Sequence, residues 1–379
     1  MKILAFTPLY LPVTGGIEMI VADLSSGLNA RGIETAVVTD KVGDLPEFET
    51  INGTRVHRLN FARPMQDSDL RSTLLNIQAL SRILDEERPD ILHVHSASQA
   101  AIFYLDRVLS KRLSRPPIVV TQHGCLESPD KAEVTRRMIL DADLLTAVSQ
   151  AALESAVAFT GRTSPSLVIR NGITIHSEFP RARTIPERHR LLCVGRMQRE
   201  KGFDIAIDAM ANIIERGVRA ELVLVGYGED RSKLEERSRD LGISQHVIFL
   251  HPLERSRVRQ LMAESSILLA PSRTREGFSL VAAEAASVGT PCIVSDIGGL
   301  PETVEHEVTG LVVPNENVEA FAHSIRLTLS DPSFWFRLSM QSYDRSRERF
   351  DLARCIESYA SAYRKVVANG GAIAKMECR

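Results

Sequence analysis

The stretch at residues 271–300, PSRTREGFSLVAAEAASVGTPCIVSDIGGL, constrains the fold more than any other part of this chain. It follows a short apolar run at 267–270 that reads as a buried parallel strand. A polar loop leads into a helix over about 280–288, Gly289 caps it, and 291–295 gives the next strand. Glu276 sits in the loop ahead of the helix, and Glu284 lies about one turn inside it. The backbone N–H groups of Gly277, Phe278, Ser279 and Leu280 stand at the helix N-terminus, where orphan donors and the helix dipole favour an anion. Two acids flanking an anion cradle suit a ligand with hydroxyls at both ends and a diphosphate between, as in a nucleotide-sugar. Two glutamates at this spacing also arise by accident, so the pair alone leaves both readings open.

Length and composition narrow the class. At 379 residues the chain fits two domains of roughly 150–200 residues each. Hydrophobic content of 44% and charged content of 25% match a globular protein in water. A net charge of −2 excludes a global polybasic character, so nucleic acid is not an expected partner. No apolar run reaches the length of a membrane span, and residues 1–30 lack a signal-peptide layout. The five cysteines, Cys125, Cys193, Cys292, Cys355 and Cys378, are scattered without CxxC spacing. That pattern predicts reduced thiols, a cytoplasmic protein and no zinc site.

In chain order, residues 2–7 read as a buried strand, followed by a loop, a helix over about 17–30 and a strand at 33–39, a βαβ series. Gly15 and Gly16 let backbone approach a ligand at the carboxyl end of the first strand, or else form a tight turn with no ligand. Residues 41–66 read as irregular, with one short strand near 55–59. A helix over about 69–87 leads to the strand 91–95. His93 and His95 are read as facing opposite sides of that strand, so that they cannot jointly bind a metal. A helix over about 98–113 precedes the strand 118–122, and His123 and Gly124 come directly after it, where open α/β sheets bind ligands. A lone histidine there is more often structural. The second half starts with a strand at 191–194 and then GRMQREKG. Gly195 permits close approach, and Arg196 and Lys201 are cations at a strand–helix junction. Cations oppose the dipole at a helix start, which points to an anionic partner beside them. Further strands fall at 221–225, ending in GYGED, and at 247–250.

The 271–300 stretch resembles the EGFxxxxxEAxxxGxPV pattern of retaining GT-B glycosyltransferases, the glycogen-synthase-like group of glycosyltransferase family 4, with Cys292 replacing the usual Val. Arg196, Lys201 and Gly202 resemble the family's GRxxxxKG diphosphate clamp, and Gly226 and Gly228 its GxG turn. Gly15, Gly16 and Glu18 resemble its GGxE opening. Gly32-Ile33-Glu34-Thr35 departs from the usual GHxV, Arg170 and Thr174 depart from PNGxD, and His251 stands where glycine is common near the nucleotide base. The likeness is strongest over 191–314.

The resemblance implies an α/β GT-B fold, two Rossmann-like doubly wound domains facing across a cleft, with a last helix returning to the first. Domain boundaries are expected at 1–175 (acceptor side), 176–189 (linker), 190–350 (nucleotide-sugar side) and 351–368 (returning helix). It implies transfer of a sugar from a nucleoside-diphosphate sugar to a hydroxyl of a glycan, lipid-linked or small-molecule acceptor, with retention, in polysaccharide or glycoconjugate biosynthesis. Arg196 and Lys201 would hold the diphosphate, Glu284 the ribose and Glu276 the sugar hydroxyls. His123 becomes a donor-sugar-facing residue, and the Gly15-Gly16 loop, Gly195, Gly226 and Gly228 join the donor site. A nucleotide-sugar epimerase and a non-catalytic sugar-binding module are the alternatives.

No cofactor and no required metal are expected. The Asp141-Ala142-Asp143 triplet precedes a strand, whereas Arg196, Lys201 and a helix N-terminus supply positive charge. Arg107, Lys111, Arg112 and Arg115 on the helix with Ile102, Phe103, Leu109 and Leu113 suggest weak peripheral contact with the inner face of the cell membrane, with a solvated helix face as the equal alternative.

Overall fold

The structure, a computed structural model, describes residues 1–13, 15–61, 69–96, 98–126, 133–175, 185–186 and 189–369. The chain divides into two compact units, Met1–Gly172 with the chain from Leu352 onward, and Ile173–Asp351. Most of the expected linker, and the tail beyond Asn369, lie outside the described residues.

The first unit runs β1 (Lys2–Thr7), α1 (Gly16–Asn29), β2 (Glu34–Asp40), β3 (Phe48–Ile51), β4 (Thr54–Leu59), α2 (Leu70–Glu87), β5 (Ile91–His95), α3 (Gln99–Leu109), β6 (Ile118–Gln122), α4 (Glu133–Asp141), β7 (Leu144–Ala147), α5 (Gln150–Thr160) and β8 (Ser166–Val168). Its sheet order is β3-β4-β2-β1-β5-β6-β7-β8, parallel except for β3 against β4. Strand order reverses between β1 and β5, with β2 and β5 flanking β1 and each pairing with it in parallel.

The second unit runs β9 (His189–Val194), α6 (Phe203–Glu215), β10 (Ala220–Val225), α7 (Arg231–Asp240), β11 (Val247–Leu250), α8 (Arg255–Glu264), β12 (Ile267–Ala270), α9 (Leu280–Ser287), β13 (Cys292–Ser295), α10 (Leu300–Thr303), β14 (Gly310–Val313), α11 (Val318–Ser330) and α12 (Pro332–Arg349). The order β11-β10-β9-β12-β13-β14 is a doubly wound sheet whose switch point lies between β9 and β12. The last helix, α13 (Leu352–Ala368), belongs to the first unit.

Alternation along the strands explains why both sheets need helices on both faces. On β9, Leu191 joins Ile207 and Met210 of α6 and Phe321 of α11, while its neighbour Leu192 joins Leu261 and Met262 of α8 and Ala282 and Ala285 of α9. On β1, Ile3 packs under Leu24 and Leu28 of α1 and Ile356, Tyr359 and Tyr363 of α13. Leu4 faces the opposite core with Leu80, Leu105 and Ile139.

Four expectations need correction. Among the described residues of 41–66 there are two strands, because Asn52 and Gly53 turn a hairpin with φ of 49° and 79°. His93 and His95 share one face of β5, since residues two apart on a strand point the same way, and their ring centroids lie 3.7 Å apart. The second unit's first strand begins at His189, inside the expected linker. The helix expected to reach residue 113 stops at Leu109, where Ser110 is its C-cap. Ile102 and Leu109 are in the core, Arg112 pairs with Asp85 at 2.8 Å, and Arg115 pairs with Asp143 at 2.7 Å. Ile102 and Leu109 are thus turned inward, whereas Leu113 is fully exposed and Phe103 half-buried, and two of the four cations are held in ion pairs.

Candidate active site

The second unit's site is assembled at the carboxyl ends of the two strands that flank its switch point. After β9 the chain passes Gly195, Arg196 and Met197, then a short turn of helix at Arg199–Lys201. After β12 it passes Pro271 to Glu276 and enters α9. These two loops lock together. Gly202 has φ of 64°, and a Cβ there would lie 1.9 Å from the Pro271 carbonyl oxygen, so only glycine fits. Gly298, at φ of 58°, leaves no room for a Cβ above the Glu276 carbonyl, which accepts from Gly299 N–H at 2.7 Å.

That packing brings Lys201 and Glu276 into contact although they are far apart in sequence. Lys201 Nζ donates to Glu276 Oε1 at 2.8 Å, and Ser272 Oγ donates to the same oxygen. Lys201 and Glu276 are both partly exposed. Arg196 is exposed, and its side chain has no hydrogen-bonding or ion-pair partner among the described residues. Glu284 Oε1 accepts from Arg255 Nη2 at 3.2 Å on the surface of α9 and α8.

Ser279 caps α9, its Oγ accepting from Ala282 N–H at 3.3 Å, while its own N–H donates to Thr303 Oγ1. Among the described residues the N–H groups of Gly277 and Phe278 have no recorded acceptor. The Phe278 side chain is buried edge-on against Phe350 at 5.3 Å, so only its backbone is available to a ligand. Leu280, the first residue of α9, is half-buried.

Gly226 and Gly228 have a tighter role than ligand approach. A Cβ on Gly226 would lie 1.8 Å from the Gly195 carbonyl oxygen, and one on Gly228 2.2 Å from that of Met197. Met197 N–H bonds Tyr227 O at 2.7 Å, so the turn after β10 holds the loop that carries Arg196. Cys292, where the family pattern has Val, is a buried thiol whose pKa is pushed up by burial, and it packs as an apolar group would.

Sequence reasoning missed Arg273. Its guanidinium forks onto Asp204 with two bonds of 2.7 Å, and reaches Glu316 at 3.1 Å and the Arg199 carbonyl at 3.0 Å. It ties the Glu276 loop to the first turn of α6 and to the chain after β14. Burial works to raise the Asp204 pKa, but the Arg273 bonds outweigh it and the net shift is downward. Nothing local separates Arg273 from Arg275 in the loop, because the acids that pair with Arg273 lie in the first turn of α6 and after β14.

In the first unit, Gly15 and Gly16 begin α1 at the carboxyl end of β1, and both are exposed. A Cβ on Gly15 would lie 2.3 Å from Glu18 Oε2, so the glycine admits the folded-back glutamate. His123 follows β6, and its Nε2 lies 3.0 Å from His95 Nδ1. Burial holds its pKa down to about 4, so the ring is neutral near pH 7.

Comparison with known proteins fits this arrangement. The family described as Glycosyltransferase Family 4 matches residues 14–177, and that described as Glycosyl transferases group 1 matches residues 176–348. An uncharacterised glycosyltransferase of Methanocaldococcus jannaschii is 30% identical over 363 residues, covering 88% of this chain and 90% of its own. Sucrose-phosphate synthase from Thermosynechococcus elongatus superposes with a TM-score of 0.82 at 21% identity, covering 97% of this chain and 99% of that one. HepE of Anabaena, solved in complex with UDP-glucose, superposes at 0.79 with 22% identity, covering 96% of this chain and all (100%) of its own.

Proposed function

This chain belongs to glycosyltransferase family 4 and has the GT-B fold, and on that premise we propose that it moves a sugar from a nucleoside-diphosphate sugar to an acceptor hydroxyl with retention of anomeric configuration. One observation carries the reading: the 2.8 Å contact between Lys201 and Glu276. In a nucleotide-sugar a single oxygen joins the anomeric carbon to phosphorus. A cation for the phosphate and a carboxylate for the sugar hydroxyls must therefore stand side by side, as these two do, beside the N-terminus of α9. HepE, of the same fold, was solved with UDP-glucose, which supports this class of donor.

The roles divide accordingly. Lys201 and the unpartnered Arg196 take the diphosphate, with the Gly277 and Phe278 N–H groups. Glu276 takes sugar hydroxyls, and Glu284, further along α9, takes the ribose. The glycines Gly195, Gly226 and Gly228 shape the loop that carries Arg196. His123 and the Gly15-Gly16 turn are proposed as the first unit's donor-facing groups. The reaction breaks the bond between the anomeric carbon and the phosphate oxygen and forms one to the acceptor oxygen on the same face. The departing phosphate takes the acceptor's proton. The protein contributes charge stabilisation and positioning, without a carboxylate nucleophile. Lys201, Arg196 and the helix end carry the leaving-group charge, so turnover is expected to persist in chelator.

The acids supply the test. Losing a hydrogen bond to a charged group costs about 1.5–3 kcal/mol. Glu284→Gln should weaken free UDP and UDP-sugar alike. Glu276→Gln should leave free UDP bound no more weakly, yet depress kcat for the donor. Calorimetry with UDP beside donor kinetics checks both, and equal weakening of UDP by both variants would overturn the assignment. Product anomers read by nuclear magnetic resonance test retention, and isomerisation of donor alone would show an epimerase instead.

A further inference from the structure

Three imidazoles stand in a row inside the first unit, and the proposed function uses only one of them. His93 and His95 on β5 are both 1% exposed, with ring centroids 3.7 Å apart and planes tilted by 44°. His123 meets His95 with 3.0 Å between Nε2 and Nδ1. His93 is held on both nitrogens: Nε2 lies 2.7 Å from Thr121 Oγ1, and Nδ1 lies 2.6 Å from the Tyr363 hydroxyl of α13.

Counting donors gives this chain of bonds a direction. The Thr146 hydroxyl donates to the Val120 carbonyl at 3.3 Å, so in the 2.5 Å contact between Thr121 and Thr146 the proton comes from Thr121. Thr121 Oγ1 is then the acceptor for His93 Nε2–H, and His93 Nδ1 the acceptor for the Tyr363 O–H. The Tyr359 hydroxyl, 3.3 Å from Thr121 Oγ1, adds a second strut from α13. His93 thus has one tautomer and one orientation, and it forms the wall on which His95 stacks. At the far end of the row the Nδ1 of His123 is buried and has no hydrogen-bond partner among the described residues.

We propose that His95 is a positioning residue for His123: His123 Nε2–H donates to His95 Nδ1, which fixes the His123 ring and its tautomer and leaves Nδ1, as an acceptor, the single atom with which His123 meets a sugar hydroxyl. This rests on the reading of His123 as a donor-facing group. The ionisable groups packed on the row are the three imidazoles themselves and the phenols of Tyr359 and Tyr363 from α13. Burial lowers the pKa of all three histidines, His123 to about 4, so the row works neutral. A neutral imidazole has two tautomers, and a neighbour that bonds one nitrogen selects between them.

The test reads the His123 ring directly, in protein carrying nitrogen-15 histidine, with UDP-glucose hydrolysis measured beside it. Native His123 should show the nitrogen shifts of one tautomer and no titration between about pH 5.5 and 8.5, given its pKa of about 4. His95→Leu removes the bond and should give tautomer-averaged shifts. It should lower kcat about 10–100-fold with the dissociation constant of free UDP unchanged. His95→Asn sets an amide group near the former Nδ1 and should restore a single tautomer and most of the turnover. His95→Asp sets a carboxylate against Nε2, raises the His123 pKa, and should make turnover fall as pH drops through it. Unchanged His123 shifts in His95→Leu would overturn the proposal, as would a native pH profile in His95→Asp. His123→Ala keeps the two readings apart. If it hydrolyses UDP-glucose like the native protein, the donor-facing role is wrong; if it is slow while His95→Leu is native-like, only the positioning role is wrong.

Discussion

The second unit gathers its candidate site from charged side chains on loops, whereas the first unit builds its own from neutral imidazoles at strand ends. Lys201, Glu276, Arg273 and Asp204 meet as ions in partly exposed loops after β9 and β12 and at the start of α6. His93 and His95 meet inside the sheet with no carboxylate among the causes of their pKa shifts. The difference teaches how each site keeps its geometry. Ion pairs at the surface hold long, mobile side chains against ligand charge and weaken in salt. A buried uncharged row holds short side chains by donor counting alone, and is indifferent to salt but sensitive to any acid strong enough to protonate it.

The largest expected effect falls on the charged side. Lys201→Ala should lower kcat/KM for the proposed nucleotide-sugar donor about 100- to 1,000-fold, about 2.7–4 kcal/mol, since it removes the charge proposed to face the leaving phosphate. Steady-state kinetics check it, and a loss below tenfold would shift the phosphate role to Arg196.

Next comes acid. An unfolded histidine titrates near 6.5 and folded His123 near 4, so between these values the unfolded chain binds the additional proton and stability falls as pH falls. Each such histidine contributes a slope of at most about 1.4 kcal/mol per pH unit. Glu87 acts in a lower window. Although burial works to raise its pKa, bonds from Arg55 and His57 bring it from 4.5 down to about 2, so its contribution is present above 4.5 and lost towards 2. That is about 3 kcal/mol in all. Three of the lowered histidines and Glu87 belong to the first unit, against His189 and Asp204 in the second, so the larger share of both windows falls on the first unit. The sequence has one tryptophan, Trp335, buried in the second unit with its Nε1–H on the Ser266 carbonyl at 2.7 Å. On acidification from pH 7 to 4, far-ultraviolet circular dichroism should change before Trp335 fluorescence does. Fluorescence changing first would break the contrast between the units.

Arg273→Ala should destabilise the second unit by about 2 kcal/mol, because it strands Asp204 and Glu316 after removing a forked, charge-assisted pair. A denaturant midpoint followed by Trp335 reads this directly, and Arg273→Lys should recover only part, since an ammonium cannot make the fork. The smallest effect belongs to Arg255→Ala. Its partner contact with Glu284 is at 3.2 Å with the arginine half exposed, so the stability loss should stay below about 1 kcal/mol.

The same contrast decides what the sequence discloses. Lys201, Glu276 and Glu284 were legible because each follows a strand end or a helix start at a spacing punctuated by glycine. The doubly wound architecture was legible from apolar runs alternating with helical stretches. Arg273 was not, since its acids lie 69 and 43 residues away and nothing local marks the pairing. The histidine row was hidden more deeply. His95 and His123 are 28 residues apart and Tyr363 is 270 from His93, so only the sheet order and the return of α13 bring them together. The assignment of His93 and His95 to opposite faces fails on the period-two rule itself. β3 was missed although Asn52-Gly53 is a hairpin signal, because its flanking residues are short and mostly polar.

The return of α13 to the first unit has a consequence for biogenesis. β1 spans residues 2–7, yet the helix that covers Ile3, Ile91, Val119 and Leu144 ends at Ala368. A ribosome adding about 5–20 residues each second leaves the part of that face not covered by α1 exposed for up to roughly 20–70 s before α13 emerges. The half made first is finished last, after the half made second has had all of its own chain. A premature stop within the codons for residues 352–368 would release a protein with a complete second unit and a first-unit sheet face lacking its α13 cover, the kind of product that chaperones and proteases retain.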